Sequence, residues 1–119
     1  MFEIARTFAF EAAHFQPGAP VGHPNSRMHG HSFVAEIVLA GEPDGQGMIR
    51  DFDTLDTALN DTRAILDHGV LNEIEGLDKP TLEAIAVWIF RRLKPAYPEL
   101  AAVTVRRPSL GHAATYRSA

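Results

Sequence analysis

The chain has 119 residues, of which 45 % are hydrophobic and 22 % are charged. This length predicts one globular domain, residues 1–119, with a hydrophobic core of its own. A formal net charge of −4 without a run of basic residues argues against a nucleic-acid partner. The absence of cysteine excludes disulfide and thiolate chemistry and fits a cytoplasmic protein, and we expect neither a membrane partner nor a signal peptide.

The N-terminal third of the chain predicts two β-strands joined by a loop. Residues 2–13 and residues 31–41 alternate apolar and polar side chains and are rich in aromatic and β-branched residues, which is typical of strands. Residues 16–28 between them contain three prolines and two glycines, a composition that indicates a loop.

The remainder of the chain predicts two helices and then two short strands. The first helix begins after Asp51 as its N-cap and ends near residues 67–69, and the second begins after Thr81 and ends before Pro95. Residues 100–118 predict two strands around a Pro-Ser-Leu-Gly turn. The order ββααββ indicates an α+β fold, a four-stranded antiparallel sheet with two helices on one face. The apolar stripes of the helices are Phe52, Leu55, Leu59, Thr62 and Leu66 in the first, and Leu82, Ile85, Ala86, Ile89, Phe90 and Leu93 in the second.

Three histidines have the spacing of a single metal site. His29 and His31 are two residues apart at the start of the second strand, so both side chains point to the same face. His14 ends the first strand, and pairing of the two strands brings all three imidazoles together. Three nitrogen ligands with one open position are typical of a catalytic zinc. The alternative, which this spacing alone leaves open, is three separate surface or core histidines.

Several motifs in the same order give the chain a resemblance to the 6-pyruvoyl-tetrahydropterin synthase family, and within it to the 6-carboxytetrahydropterin synthases of queuosine biosynthesis. The resemblance implies the T-fold, assembly of the chain into homotrimers or homohexamers with active sites between subunits, and Zn²⁺ held by His14, His29 and His31. The motifs are FEAAH at 10–14, HGHSF at 29–33, GMIRDF at 47–52, LDHGVLN at 66–72, Pro80-Thr81 and Tyr116.

The resemblance also implies lyase activity on a small molecule, 7,8-dihydroneopterin triphosphate, with Asp67 and His68 as catalytic residues. A histidine titrates near neutral pH and a neighbouring carboxylate orients it and stabilises its cation, so this pair suits proton transfer. The alternative is a helix C-cap, in which a protonated His68 interacts with the helix dipole and Gly69 fills the C′ position.

Two residues depart from the pattern of the family. Asn25 occupies the position of the family's cysteine, and an amide forms hydrogen bonds but cannot transfer protons as a thiolate does. Arg107 occupies the position of the family's pterin-binding glutamate. Because a guanidinium has five donors and no acceptor, it suits a carboxylate or phosphate instead of the N–H edge of a pterin. We predict that both residues contact substrate; the alternative for Arg107 is a side chain that reaches solvent at a strand end.

The function therefore stays open between two classes. The first is a zinc-dependent lyase that acts on the family's pterin or on another small, anionic molecule bound by Arg107. The second is a homologue that binds zinc and a ligand without catalysis. Two further histidines have no firm assignment from sequence: His23 is either a base or a solvated loop residue, and His112 either reaches the Arg107 region or is an exposed turn residue.

Overall fold

The computed structural model describes residues 1–118, and these residues form the predicted α+β fold. Four strands make one antiparallel sheet in the order β1-β2-β3-β4, and two helices pack against it. The second strand begins two residues earlier than predicted, so that it includes both His29 and His31. The elements are β1 (Phe2–His14), β2 (His29–Gly41), α1 (Phe52–Leu66), α2 (Leu82–Leu93), β3 (Leu100–Arg107) and β4 (His112–Arg117).

The pairing of β1 with β2 runs without interruption from Phe2 opposite Gly41 to His14 opposite His29. His31 lies opposite Ala12, on the same face as His14 and His29. The register therefore places the three histidines at one end of the sheet, on the face that the helices cover. This is the convergence that the sequence predicts for the two strands.

The core lies between this face of the sheet and the two helices. Every residue of the predicted α2 stripe is buried, and so is the α1 stripe except for Phe52. Phe52 is 44 % exposed. It is the first residue of α1 and lines a surface cavity of about 260 Å³ with Phe2 and Met48, so its expected burial in the core is wrong. The fully buried large side chains are Phe10, Phe33, Ile37, Leu39, Leu55, Leu66, Leu71, Leu77, Ile85, Ile89, Leu100 and His14.

Both predicted helix N-caps are present. The Asp51 carboxylate accepts a hydrogen bond from the N–H of Asp53, and the Thr81 hydroxyl oxygen accepts one from the N–H of Ala84. The end of α1 differs from the helix C-cap alternative, which places Gly69 at the C′ position, because the residue in the left-handed conformation is His68, at φ 60°. Among residues 1–118, no helix has the length and hydropathy needed to span a membrane.

Candidate metal centre and active site

The structure brings His14, His29 and His31 into one cluster. One ring nitrogen from each lies within 4.8 Å of the others. The ring centroids are 4.7 Å apart for His14 and His29, 4.8 Å for His29 and His31, and 5.1 Å for His14 and His31. The Phe33 ring packs against His14 and His31 at 5.9 and 5.7 Å, so the cluster is supported by the aromatic core.

Backbone carbonyl groups fix the ring nitrogens of two of these histidines. Nδ1 of His14 lies 3.0 Å from the carbonyl oxygen of Pro80, and Nδ1 of His29 lies 2.7 Å from that of Arg27. Because a carbonyl oxygen only accepts, each Nδ1 must carry the proton and donate it. The lone pair of each ring is therefore on Nε2, where it is available to a metal ion, as in metal-binding histidines that donate their second N–H to a carbonyl.

The electrostatics of the cluster lower the pKa values of His14 and His31 and so favour their neutral imidazoles. Burial lowers the pKa of His14, and the charges of His29 and Arg107 add to this effect, whereas the hydrogen bond to Pro80 opposes it. Burial together with the charges of the other two histidines, Arg107 and His112 lowers the pKa of His31 to about 4. Neutral imidazole is the form that coordinates a metal ion.

The residues present fit a zinc ion. Nε2 of His14 is buried and has no hydrogen-bond partner among the described residues. A buried acceptor without a partner costs roughly 1–3 kcal/mol, and a cation at the centre of the cluster would satisfy it. Three imidazoles on a rigid sheet are also a donor set that zinc prefers.

Asn72 holds the end of β1 in place beside the cluster. Its side-chain oxygen accepts the N–H of Phe15 at 3.0 Å, and its amide nitrogen donates to the carbonyl of Phe15 at 2.9 Å. Because Phe15 directly follows His14, this pair of hydrogen bonds fixes the direction in which the strand leaves the cluster. Asn72 belongs to the LDHGVLN motif, but no residue pattern predicts this contact.

Asp67 and His68 form the hydrogen-bonded pair that the sequence predicts. Nδ1 of His68 donates to Oδ2 of Asp67 at 2.7 Å, and Oδ1 of Asp67 accepts the N–H of Glu11 at 2.9 Å. The hydrogen bonds from Glu11 and His68, together with the Arg63 cation, lower the pKa of Asp67. The Asp67 side chain is 13 % exposed and the His68 side chain 78 % exposed, so a shielded carboxylate orients an imidazole that faces solvent.

The backbone of His68 is held in its unusual conformation by β1. Its N–H donates to the carbonyl of Glu11, and the carbonyl of the following Gly69 accepts the N–H of Ala13. A left-handed conformation is uncommon for a residue other than glycine, and these two hydrogen bonds to β1 hold the segment in it. One cavity of about 630 Å³ is lined by both His68 and His31, so the pair and the cluster face a shared space.

Asn25 and Arg107, the two departures, line a second cavity next to the cluster. Its volume is about 250 Å³, and His14 forms part of its wall. His23 lies in the adjoining loop, where its Nδ1 accepts the N–H of Asn25 and so caps a short 3₁₀ helix. His112 is exposed and lies opposite Arg107 in the β3–β4 pairing.

Sequence reasoning missed the groups that orient the metal-binding rings. The carbonyls of Pro80 and Arg27 are backbone atoms, and nothing in the residue types at these positions indicates that they accept from His14 and His29. The same holds for the backbone of Glu11, which supports Asp67. The positions of these groups depend on how distant segments of the chain meet, and no local residue pattern predicts this.

Fold and site together define a T-fold protein with a three-histidine candidate metal centre. The family model for 6-pyruvoyl tetrahydropterin synthase matches residues 3–119, nearly the whole chain. The chain belongs to the 6-pyruvoyl tetrahydropterin synthase family.

Individual relatives agree with this assignment. The chain is 40 % identical over 104 residues to a 6-carboxy-5,6,7,8-tetrahydropterin synthase of Synechocystis, covering 81 % of this chain and 78 % of the relative. It is 39 % identical over 71 residues to a dihydroneopterin monophosphate aldolase of Pyrococcus furiosus, covering 60 % of each. The solved structure of Caenorhabditis elegans 6-pyruvoyl tetrahydropterin synthase superposes with a TM-score of 0.87 at 26 % identity, over 99 % of this chain and 96 % of that one.

Proposed function

We propose that this protein is a zinc-dependent lyase of the 6-carboxytetrahydropterin synthase type, acting on 7,8-dihydroneopterin triphosphate or a closely related small molecule. The observation that carries the proposal is the cluster of His14, His29 and His31, which offers three imidazole ligands and leaves one position open. Similarity to a relative named as a 6-carboxy-5,6,7,8-tetrahydropterin synthase supports the reaction type.

His14, His29 and His31 would hold the zinc ion. When bound, zinc supplies a Lewis acid that polarises a hydroxyl or carbonyl oxygen of the substrate and so acidifies the neighbouring C–H. The hydrogen bonds from His14 to Pro80 and from His29 to Arg27 keep the rings in position before substrate arrives.

His68 is the proposed general base. Because its Nδ1–H is donated to Asp67, its Nε2 carries the lone pair, and His68 lines the same cavity as His31. Nε2 accepts the proton from the substrate, and the Asp67 carboxylate stabilises the imidazolium that results. Asn25 takes no part in proton transfer and acts through hydrogen bonds alone.

We also propose that the protein works as a homo-oligomer, a trimer or hexamer, with the active site completed between subunits. The high exposure of His68 supports this arrangement, because a general base is more effective when solvent is excluded from its surroundings. Queuosine biosynthesis, which the family resemblance implies, and a cytoplasmic location, which the absence of cysteine fits, are part of the same proposal.

A second candidate reaction is aldol cleavage of a dihydroneopterin phosphate. It is favoured by the absence of a cysteine, which leaves Asp67 and His68 as the proton-transfer pair, and by the similarity to a relative named as dihydroneopterin monophosphate aldolase. One base is enough for this cleavage. It takes the proton of a side-chain hydroxyl as the adjacent C–C bond breaks, and its conjugate acid then protonates the carbon left on the pterin.

The test is to incubate the zinc-loaded protein with 7,8-dihydroneopterin triphosphate, and separately with the monophosphate, and to identify products by mass spectrometry. A carboxy- or pyruvoyl-tetrahydropterin supports the main proposal, whereas a hydroxymethyl-dihydropterin with a phosphorylated two-carbon aldehyde supports aldol cleavage. If neither substrate is consumed by protein that carries one zinc per chain, the lyase proposal is wrong and the non-catalytic alternative gains support.

A further inference from the structure

Arg107 is an arginine without an internal partner. It ends β3 on the face that Val103 and Val105 present to the core, and its Nε is buried without a hydrogen-bond partner. Within residues 1–118, no carboxylate lies within ion-pair distance of its guanidinium. The neighbouring Arg106 differs, because it lies on the opposite face and pairs with Glu36 at 3.3 Å. A half-buried guanidinium that pairs with no carboxylate among residues 1–118 is suited to bind an external anion.

The cavity that Arg107 lines is polar and contains further donors. Asn25 lies in its wall, and the Asn25 side-chain amide forms no hydrogen bond with any described residue. Thr81 also lines it, and its hydroxyl oxygen accepts the N–H of Ala84 while its own hydrogen remains available. Because the cavity holds about 250 Å³ and adjoins His14, it has room for a small charged group beside the metal centre.

We propose that Arg107 and Asn25 form an anion subsite that binds a carboxylate or phosphate group of the substrate next to the metal-binding histidines. This inference rests on the proposed function, because it names the chemical group of the substrate that the same active site selects. A guanidinium binds either group through two parallel hydrogen bonds, and the Asn25 amide adds a third donor.

The same geometry disfavours the N–H edge of a pterin at this position. That edge presents donors, and Arg107 also presents only donors, so the groups facing each other would remain unpaired. The one carboxylate at the cavity, Glu83, is exposed on the first turn of α2 and forms no ion pair with Arg107. Glu83 therefore repels an anion in the cavity. Its replacement should affect anion binding in the direction opposite to the replacement of Arg107.

The experiment measures binding of inorganic phosphate by calorimetry, with zinc-loaded and with metal-stripped protein. Arg107→Gln should weaken phosphate binding about 10- to 100-fold in both forms, the effect of losing hydrogen bonds to a charged group. The matched control, Arg106→Gln, removes the same charge one residue away on the opposite face and should change the affinity less than about twofold. Glu83→Gln should tighten binding a few-fold by removing the repulsion.

Equal weakening by Arg107→Gln and Arg106→Gln would overturn the proposal, because it would show a general effect of net charge. Absence of phosphate binding to the wild type would overturn it as well. Dissociation of the Arg107→Gln protein into monomers, measured by light scattering, would instead assign Arg107 to a subunit contact. Binding to metal-stripped protein depends on neither zinc nor turnover, so failure of the lyase proposal would leave this result readable.

A complementary variant tests the choice of ligand. Arg107→Glu should lose phosphate binding and gain affinity for a neutral pterin, since a carboxylate accepts two N–H groups from the pterin edge. If wild type and Arg107→Glu bind pterin equally, Arg107 does not select the substrate and the inference is wrong. Zinc content of each variant, measured by mass spectrometry, separates this result from loss of the metal.

Discussion

At the scale of single residues, His14 shows how a ring can be prepared for a metal ion. Its Nδ1 donates to Pro80, whereas its Nε2 is buried without a partner. In the metal-free chain this desolvated lone pair opposes folding, and a bound cation removes the penalty. If the cluster binds zinc as proposed, metal binding and folding stability are coupled at this residue.

Replacing a metal-binding histidine should abolish zinc binding. In the His29→Asn protein we expect zinc content to fall from about one per chain to below about 0.1, because two imidazoles and an amide form a much weaker set. The measurement is elemental mass spectrometry of dialysed protein. His23→Asn is the matched control, since asparagine keeps the N-cap that His23 supplies, and it should retain full zinc. Retention of zinc by His29→Asn would contradict the assignment.

Replacing the general base should reduce turnover without loss of the metal. His68→Gln is expected to lower kcat about 10²- to 10⁴-fold at unchanged zinc content, because glutamine hydrogen-bonds but does not accept the proton. Steady-state rates of both proteins, with the zinc content of each determined in parallel, are the measurement. A variant with wild-type kcat would exclude His68 as the base.

At the scale of helices and strands, residue patterns predict the features that depend on residues close together in the chain. The α2 stripe and the Thr81 cap follow from helical spacing and capping chemistry, and both are present. The exposure of Phe52 and the left-handed conformation of His68, which the residue patterns do not predict, both lie at ends of α1. At these positions, contacts with other elements determine side-chain exposure and backbone conformation. Phe52 lines the same cavity as Phe2, and the N–H of His68 donates to the backbone of β1.

An ion pair between Arg50 and Glu99 connects the segment before α1 to the segment before β3. The pair is only partly exposed, and the hydrogen bond from Arg50 lowers the pKa of Glu99. Since the folded-state pKa lies below the unfolded value of about 4.3, the pair stabilises the protein above that pH, and its contribution is lost as pH falls through the folded-state pKa.

Glu99→Gln should therefore destabilise the protein by roughly 1 kcal/mol at pH 7 and by less near pH 3. Urea denaturation at both pH values measures the difference. The control is Glu3→Gln, which removes an exposed carboxylate without a hydrogen-bond partner and should leave stability unchanged at either pH. A destabilisation by Glu99→Gln that is as large at pH 3 as at pH 7 would show that the carboxylate charge is not the cause.

At the scale of the whole molecule, the three-histidine cluster is predictable from the sequence. The cavity that His31 and His68 line and the cavity that Asn25 and Arg107 line are not. Alternation places His29 and His31 on one face, and strand pairing adds His14, so the cluster needs only short-range rules. Asn25 and Arg107 come from opposite ends of the chain, and their meeting depends on the path of residues 15–28. The same is true of His31 and His68, since no spacing rule relates a strand to the end of a helix.

The two edges of the sheet support the proposed assembly of the chain into a homo-oligomer. β1 and β4 are the outer strands, and residues 68–70 cover β1 only near its end, at Glu11 and Ala13. Uncovered strand edges present unpaired N–H and C=O groups that favour pairing with another chain. We expect light scattering to give a mass of three or six chains at micromolar concentration, and a monomeric mass would contradict the proposed assembly.

The central claim is a zinc ion held by three imidazoles with one position open, and X-ray absorption at the zinc edge tests it most directly. For protein loaded with one zinc per chain, we predict three imidazole nitrogens at about 2.0–2.1 Å and one further oxygen from water. Addition of a substrate should change the oxygen contribution and leave the imidazole contribution constant. Fewer than three imidazoles, or zinc surrounded by oxygen alone, would contradict the claim.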